Sequence, residues 1–343
     1  MGGRARSRFI QRLITGGVAA TAVTGALLST QVIPAAANAT IGWGMHAGPS
    51  KKIPNKDNRQ YIADAESLIQ RKFVYDPRYY IFGVEPIISA RENWAKSVGK
   101  TPFIHLDMGG CFTSGCMSRP TWAQVASGTY DSYLTQQAGL LKNFGSRVIL
   151  NYGNEANLQS QNRGTPQQYK AAFNHIVSVF RNAGVSNVSY ALTITNTVFI
   201  KGQADTWYPG DNTVDIIAPT GYNWACVPGQ PNFGKPSCGQ RWKSFQAAFS
   251  APYAYTVRHG KTMMVAETGS AEDPYHAGRK AQWILDMAHT AKGWPALRGI
   301  IWFQAGQRLD YWKINSSQSA LDAYICVGHD PAFGGGGPTC AGT

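Results

Sequence analysis

The chain has 343 residues, 43% of them hydrophobic, 12% aromatic and only 15% charged. That is enough to build one large core, and a charge-poor chain rich in Trp, Tyr and Gly is not a disordered one. The formal net charge of +13 falls to +9 without the four arginines of the first 39 residues, and no Lys/Arg run is dense enough for a nucleic-acid stripe; a solvated basic surface, or attraction to an anionic cell surface, accounts for it.

Arg4, Arg6, Arg8 and Arg12 form a positive n-region, Leu13 to Leu28 is uncharged and largely apolar, and Ala37-Asn38-Ala39 satisfies the small-residue cleavage rule. The expectation is a secretory signal over residues 1–39, a mature chain from Thr40 and a secreted, extracellular protein; an uncleaved N-terminal anchor is the alternative. Ser7 splits Arg6 from Arg8, so a twin-arginine signal is not satisfied. Nothing later is long and apolar enough to span a bilayer, so no membrane partner is expected once the signal is removed.

Cysteines fall in three close pairs, each flanking a loop rich in Gly, Pro or Ser: Cys111 with Cys116, Cys226 with Cys238, and Cys326 with Cys340. Six cysteines allow fifteen connectivities, but neighbour pairing is the economical one and suits an oxidising compartment. Zinc is the rival reading. It is disfavoured because no CxxC accompanies the pairs and His329 is the one nearby histidine.

In chain order, Ile41 to Gly48 is a short strand entering a Gly/Pro loop, and Tyr61 to Arg71 is a helix with apolar residues at helical spacing. Tyr79 to Val84 reads as the second strand, ending at Glu85-Pro86, and Ile87 to Val98 as a helix. Thr101 to Leu106, the third strand, leads into Asp107, and Thr121 opens a helical region reaching Phe144. Val148 to Tyr152 is the fourth strand. Thr165 (N-cap) and Pro166 (first helical position) start a helix to Asn182 that stops at Gly184. Strand five is Val188 to Ile194, and strand six is Val214 to Pro219, emptying into Thr220-Gly221-Tyr222-Asn223-Trp224. Helices at Trp242–His259 and His276–Lys292 bracket strand seven, Thr262 to Ala266. Gly299 to Phe303 is strand eight, followed by a helix from Ser317 to Tyr324.

Eight apolar strands alternating with helices predict a single-domain α/β fold, a (β/α)8 TIM barrel over residues 40–325. Residues 326–343 are expected to be a Gly-rich tail closed by Cys326 and Cys340. A doubly wound sheet is the alternative, but no glycine-rich dinucleotide turn follows the first strand.

The ends of buried parallel strands are where such a barrel places its chemistry. Met263 to Ser270 (MMVAETGS) delivers one carboxylate, Glu267, into a turn, and Val148 to Asn157 (VILNYGNEAN) delivers Glu155. Around them the strand ends carry His46, Glu85, Asp107, Asn154, Tyr222, Trp224 and Trp302, a carboxylate- and aromatic-rich ring. Sugars are held by aromatic faces and polar forks and hydrolysed by carboxylate pairs, which sit about 5–5.5 Å apart in retaining enzymes.

Asn154-Glu155 ending strand four, with Glu267 ending strand seven, resembles the large clan of retaining (β/α)8 glycosidases. Within it, Trp207-Tyr208-Pro209-Gly210-Asp211-Asn212-Thr213-Val214-Asp215 followed by Gly221-Tyr222-Asn223 resembles glycoside hydrolase family 26, whose best-known members are endo-β-1,4-mannanases. The resemblance implies that Glu155 is the acid/base and Glu267 the nucleophile, that Tyr222 steadies the nucleophile, and that Trp302 is the platform beneath the sugar. His46, Glu85, Asp107, Asn154 and Trp224 are further candidates for binding substrate, whereas Asp211 and Asp215 read as structural. The chain departs from the family at Asn154, where His is usual, and at Thr220, where Asp is common.

The expected function is a secreted retaining endo-glycosidase acting on a β-linked polysaccharide, mannan first, as a monomer, with no cofactor and no metal. A non-catalytic carbohydrate- or cell-wall-binding barrel and a transglycosylase using the same glutamates are the alternatives. Glu272, Asp273 and His276 lack a second histidine for a metal site, and no Gly-x-Ser-x-Gly elbow or P-loop is present.

Overall fold

The computed structural model describes residues 40–48, 59–107, 120–227, 232–304 and 312–340; the expected signal over residues 1–39 lies outside them. The strands are β1 (Gly42–His46), β2 (Tyr75–Ile81), β3 (Thr101–Asp107), β4 (Val148–Tyr152), β5 (Val188–Leu192), β6 (Ile216–Ile217), β7 (Thr220–Asn223), β8 (Thr262–Ser270) and β9 (Leu297–Phe303). All pairings between them are parallel. They run in the order β6-β5-β4-β3-β2-β1-β9-β8, and the β6–β8 pairing closes the ring. Past Pro219, β7 takes over from β6 and pairs with β8, so nine strands fill eight barrel positions. The expected single-domain (β/α)8 barrel is the fold found.

Among the described residues, eleven helices alternate with the strands: α1 (Arg59–Ile69), α2 (Ala90–Ser97), α3 (Trp122–Ala126), α4 (Asp131–Phe144), α5 (Ala156–Arg163), α6 (Pro166–Asn182), α7 (Asn196–Ile200), α8 (Ala204–Trp207), α9 (Phe245–Arg258), α10 (Arg279–Lys292) and α11 (Gln318–His329). Their starts follow capping chemistry. Thr165 accepts from the Gln168 N–H, the Gln168 side chain accepts from the Thr165 N–H, and Pro166 fills the first turn, where its missing N–H costs nothing. Thr121 and Gln124 repeat the box at α3, but Gly128, at φ +84°, ends that helix and separates it from α4.

Inside the barrel, Tyr75, Phe103, Ile149, Met264 and Ile301 form a packed floor. A β-carbon on Gly42 would lie 2.3 Å from the Tyr75 ring, so glycine there makes room for that ring. Two larger apolar clusters lie between strands and helices. The second strand begins earlier than the apolar run suggests, at Tyr75 instead of Tyr79. Asp76 and Arg78 occupy its helix-facing positions and are buried, with Asp76 accepting from Arg91 Nε at 3.0 Å and from Nη2 of the same guanidinium.

α11 continues to His329, past the expected boundary at 325, and the following 3-10 turn, Pro331–Phe333, packs on the first strand. The Ile41 N–H donates to the Ala332 carbonyl at 2.8 Å, and the Phe333 ring lies 5.0 Å from Trp43. Two of the three expected disulfides are formed, Cys226 to Cys238 and Cys326 to Cys340. For the third, Cys111 and Cys116 both lie outside the described residues, and their expected pairing remains a reading of the sequence. Among the described residues no helix is long and apolar enough to cross a membrane.

Lys280 of α10 is fully buried and donates to the Lys313 carbonyl at 2.6 Å and to Ser316 Oγ at 2.8 Å, fastening the segment after β9. Burial lowers its pKa to about 7 from the ordinary 10.5, with Glu272 opposing. The folded chain thus gives up this proton before the unfolded chain does. The cost of the buried ammonium is fully present below pH 7 and is relieved as pH rises toward 10.5. Relative to a Lys280→Met variant, the wild type should gain up to about 1.4 kcal/mol of stability per pH unit in that window. Urea midpoints of both proteins at pH 6.5, 7.5 and 8.5 measure this, and a difference that ignores pH counts against it.

Candidate active site

Glu267 reaches the barrel mouth because β8 breaks its alternation. Val265 pairs in register with Ile300, and Thr268 with Trp302, so one more residue stands between them on β8 than on β9. Val265 and Ile300 both belong to the helix-facing cluster, whereas Ala266 belongs to the interior floor. Strict alternation would send Glu267 outward with Val265; the bulge turns it inward instead. There it is 6% exposed and accepts three neutral donors: Tyr79 Oη and Asn154 Nδ2 (3.0 Å) on Oε1, and Tyr222 Oη (2.5 Å) on Oε2. Donors of this kind favour the ionised carboxylate. Burial, followed by the charge of Glu267, holds the Tyr222 hydroxyl far above its usual pKa, so it remains a donor.

Glu155 caps α5 from a left-handed backbone, φ 51° and ψ 49°. Gly153 just before it is also left-handed, at φ 71°. A non-glycine residue in this conformation costs about 1–2 kcal/mol, and residues so held cluster at functional sites. The turn throws the Glu155 side chain back over the barrel, where Thr220 Oγ1 donates to its Oε1 at 2.6 Å. Thr220 is the register partner of Glu267 on β7. The hydroxyl that touches one glutamate is therefore carried by the residue beside the other, and Tyr222 senses both charges.

Of the other expected residues, Asn154 and Tyr222 join this cluster as described. His46 stacks on Phe303 at 4.8 Å and meets Tyr79 edge-on at 5.0 Å, and burial, helped by the charge of Arg78, lowers its pKa to about 3. It is a neutral ring in the wall. Trp224 is 42% exposed, with its ring 5.4 Å from Tyr222 and 4.9 Å from Trp312. Glu85 is not brought to the glutamates by any contact described. Its carboxylate accepts the Ile81 N–H at 2.7 Å, beside a cleft lined by Arg59, Arg78 and Arg91. Asp107 ends β3 in register with Ile81, and its side chain lies outside the description.

Trp302 does not line the mouth, contrary to its expected place beneath the sugar. It is 1% exposed, its indole N–H donates to the Trp312 carbonyl at 2.7 Å, and its ring meets Trp283 and Tyr324 among the helices. Ile301 faces the interior, so strand alternation points Trp302 outward and Phe303 inward. The mouth-facing position on β9 belongs to the half-buried Phe303, one residue on, whose ring meets Tyr222 edge-on.

Tyr79, Phe303 and Trp312 are the site residues the sequence did not single out, and Thr220 stood out there only as a departure from the family pattern. Tyr79 becomes readable as an inward neighbour two residues before Ile81 once β2 is started at Tyr75. Most of the block from Trp207 lies away from the glutamates. Asp211 accepts from Tyr208 Oη (2.6 Å), Asp215 accepts the Tyr190 N–H (2.8 Å) at the entry to β6, and only Gly221-Tyr222-Asn223 reaches the mouth. Cys226, Cys238 and Asp273 come close enough to ligate a metal, but the two sulfurs are bonded to each other and offer no thiolate.

No protein-family model matches the chain. Endoglucanase H of Acetivibrio thermocellus is 31% identical over 230 residues, covering 62% of this chain and 24% of that protein. The chain thus spans about a quarter of the length of that curated relative. Among solved structures, a family 26 β-mannanase from Bacteroides ovatus superposes with a TM-score of 0.59 at 14% identity, over 86% of this chain and 90% of that one. A family 26 protein from Muricauda sp. gives 0.58 at 14% identity, over 86% and 87%. A mannanase from Bacillus subtilis gives 0.52 at 15%, over 81% and 87%. The resemblance to glycoside hydrolase family 26 read from the sequence therefore holds at the level of the fold, a (β/α)8 barrel.

Proposed function

We propose that this protein is a secreted, endo-acting retaining glycosidase that cleaves a β-linked polysaccharide by double displacement, with Glu267 as nucleophile and Glu155 as acid/base. The observation that carries the proposal is the pair of carboxylates, one on β8 and one on the turn after β4, with opposite settings. Glu267 is buried under three neutral donors that favour its anion. Glu155 stands on a strained turn at the half-exposed mouth, where the Thr220 hydroxyl donates to it. Glu155 protonates the glycosidic oxygen as a Glu267 oxygen bonds to the anomeric carbon and the leaving sugar departs. Glu155, now a carboxylate, then takes a proton from the water that replaces Glu267. Asn154 and Tyr222 orient the nucleophile, and Phe303 and Trp224 offer apolar faces to sugar rings. No cofactor is needed for this chemistry.

The named relative is an endoglucanase and the mannanases share the fold, so β-glucan stands beside mannan as substrate. Thr220 and Asn154 favour separating the two by experiment, because both sit on the glutamates where family 26 usually carries Asp and His. The paired cysteines support an extracellular site of action, and one barrel with both glutamates is complete as a monomer.

Product release from mannans, β-glucans and xylans tests the reading, with proton NMR of the first-formed anomer on the responding polymer. Internal cleavage giving the β-anomer first is expected. Release of the α-anomer overturns the double displacement, and glycan binding with no cleavage of any polymer replaces the enzyme by a binding barrel.

A further inference from the structure

Resting on that reading, we infer that His105, held as the neutral Nε2–H tautomer, is a positioning residue that fixes the polarity of a hydrogen-bond relay ending on Glu267. Tyr79, His105 and Asn151 are register partners across β2, β3 and β4, in one row above the barrel floor. His105 and Asn151 are fully buried.

The row starts at a donor that cannot be reversed. The backbone N–H of Thr193 donates to Asn151 Oδ1 at 3.2 Å, which orients that amide and leaves its NH2 to face His105 Nδ1, also at 3.2 Å. Nδ1 must therefore accept, and a neutral imidazole with Nδ1 accepting carries its proton on Nε2. The Asn154 side chain is a polar neighbour of this ring and opposes the effect of burial on it. His105 Nε2 and Asn154 Oδ1 are both buried and without a hydrogen-bond partner among the described residues, and the relay joins this donor to this acceptor. With Oδ1 so engaged, Asn154 presents Nδ2 to Glu267 Oε1 at 3.0 Å. Each link is dictated by the one before, and the last demands an acceptor, so the relay favours the carboxylate of Glu267 over the carboxylic acid.

The alternative tautomer would set two hydrogens against each other at Asn151 and free the Asn154 amide to turn its oxygen on the nucleophile. Burial keeps the ring neutral, and Tyr79 stacks on it at 4.6 Å, so it has little freedom to rotate. Among the described residues, the titratable groups around the row are Tyr79 from β2, His46 from β1 with Arg78 behind it, Tyr222 from β7 and the two glutamates.

The test has two arms. Nitrogen-15 NMR of the folded protein, with His105 assigned among the seven histidines by subtracting a His105→Phe spectrum, reads the tautomer between pH 5.5 and 7.5. Neutral Nε2–H is expected; Nδ1–H or an imidazolium overturns the relay whatever the enzyme cleaves. In the kinetic arm, His105→Phe keeps the stack but breaks the chain. It should lower kcat/KM about tenfold and move the acid limb of the pH profile up by roughly half a unit to one unit. His105→Gln retains an N–H at the Nε2 position and should recover most of both. Equal losses in the two variants, or a loss with an unmoved acid limb, mean His105 is only filling space. A wild type that cleaves no glycan counts against the glycosidase reading, and the NMR arm alone then decides the relay.

Discussion

Glu267→Gln should lower turnover of the responding polysaccharide by roughly 10⁴-fold or more while leaving the barrel folded. A loss of that size is about 5 kcal/mol of transition-state stabilisation, the scale expected when the bond-forming group itself is removed. Gln matches Glu in volume but is a poor nucleophile at the anomeric carbon. It also turns an amide NH2 toward Tyr222, whose hydroxyl must reverse from donor to acceptor while Tyr79 and Asn154 go on donating to the amide oxygen, a mismatch with the arrangement built for a carboxylate. That mismatch should cost some stability without unfolding the chain, because the floor beneath is built from Tyr75, Phe103, Ile149, Met264 and Ile301. Wild-type kcat/KM should trace a bell against pH, with Glu267 required ionised on the acid side and Glu155 required protonated on the basic side. Turnover within tenfold of wild type in a folded Glu267→Gln protein would sink the assignment of the nucleophile.

The layout of strands was legible because parallel strands buried on both faces leave continuous apolar runs, and eight such runs alternate with helical periodicity. Thr165-Pro166 marked the start of α6 because capping is a local hydrogen-bond rule that tertiary packing does not override. Elsewhere the local signal was misleading. Asp76 and Arg78 look like surface, yet both are buried beside the α2 arginine, and that pairing is invisible from one segment alone. Helices α5, α7 and α8 lie in loops after strands, too short for periodicity to show.

The site shows the same division. Glu155, Glu267, Asn154 and Tyr222 were readable from their places at strand ends. Trp302 was misplaced because hydrophobicity does not give the phase of a strand with apolar residues on both faces. Its phase is fixed by Ile301 in the interior floor, knowable only once the barrel closes. The inward aim of Glu267 depends on the β8 bulge, which no residue in MMVAETGS announces. His105 read as one more residue inside a strand, and its role comes from three neighbours brought together by register.

Glu155→Gln should separate the two halves of the reaction, which a nucleophile variant cannot do. With a sugar as leaving group, loss of the proton donor should cost roughly 10²–10⁴-fold, the range of general acid catalysis. With a nitrophenolate or similar leaving group no proton is needed for departure, so Glu267 can still form the glycosyl-enzyme at a rate near that of the wild type. The second step then stalls, because the incoming water has lost its base. The expected record is a burst of nitrophenolate equal to the enzyme concentration, followed by slow turnover. In a Glu155→Ala protein azide, already an anion, needs no base and should restore turnover by attacking from the face Glu155 vacates, giving a β-glycosyl azide. Thr220 gives the same argument a smaller step. Its hydroxyl donates to Glu155 Oε1, so Thr220→Val should weaken the orientation of the acid without removing it, and the aryl substrate should feel this less than the polymer. An azide product of the α configuration, or no burst from a folded variant, would assign the acid/base to another residue and leave the strained turn at Glu155 as architecture alone.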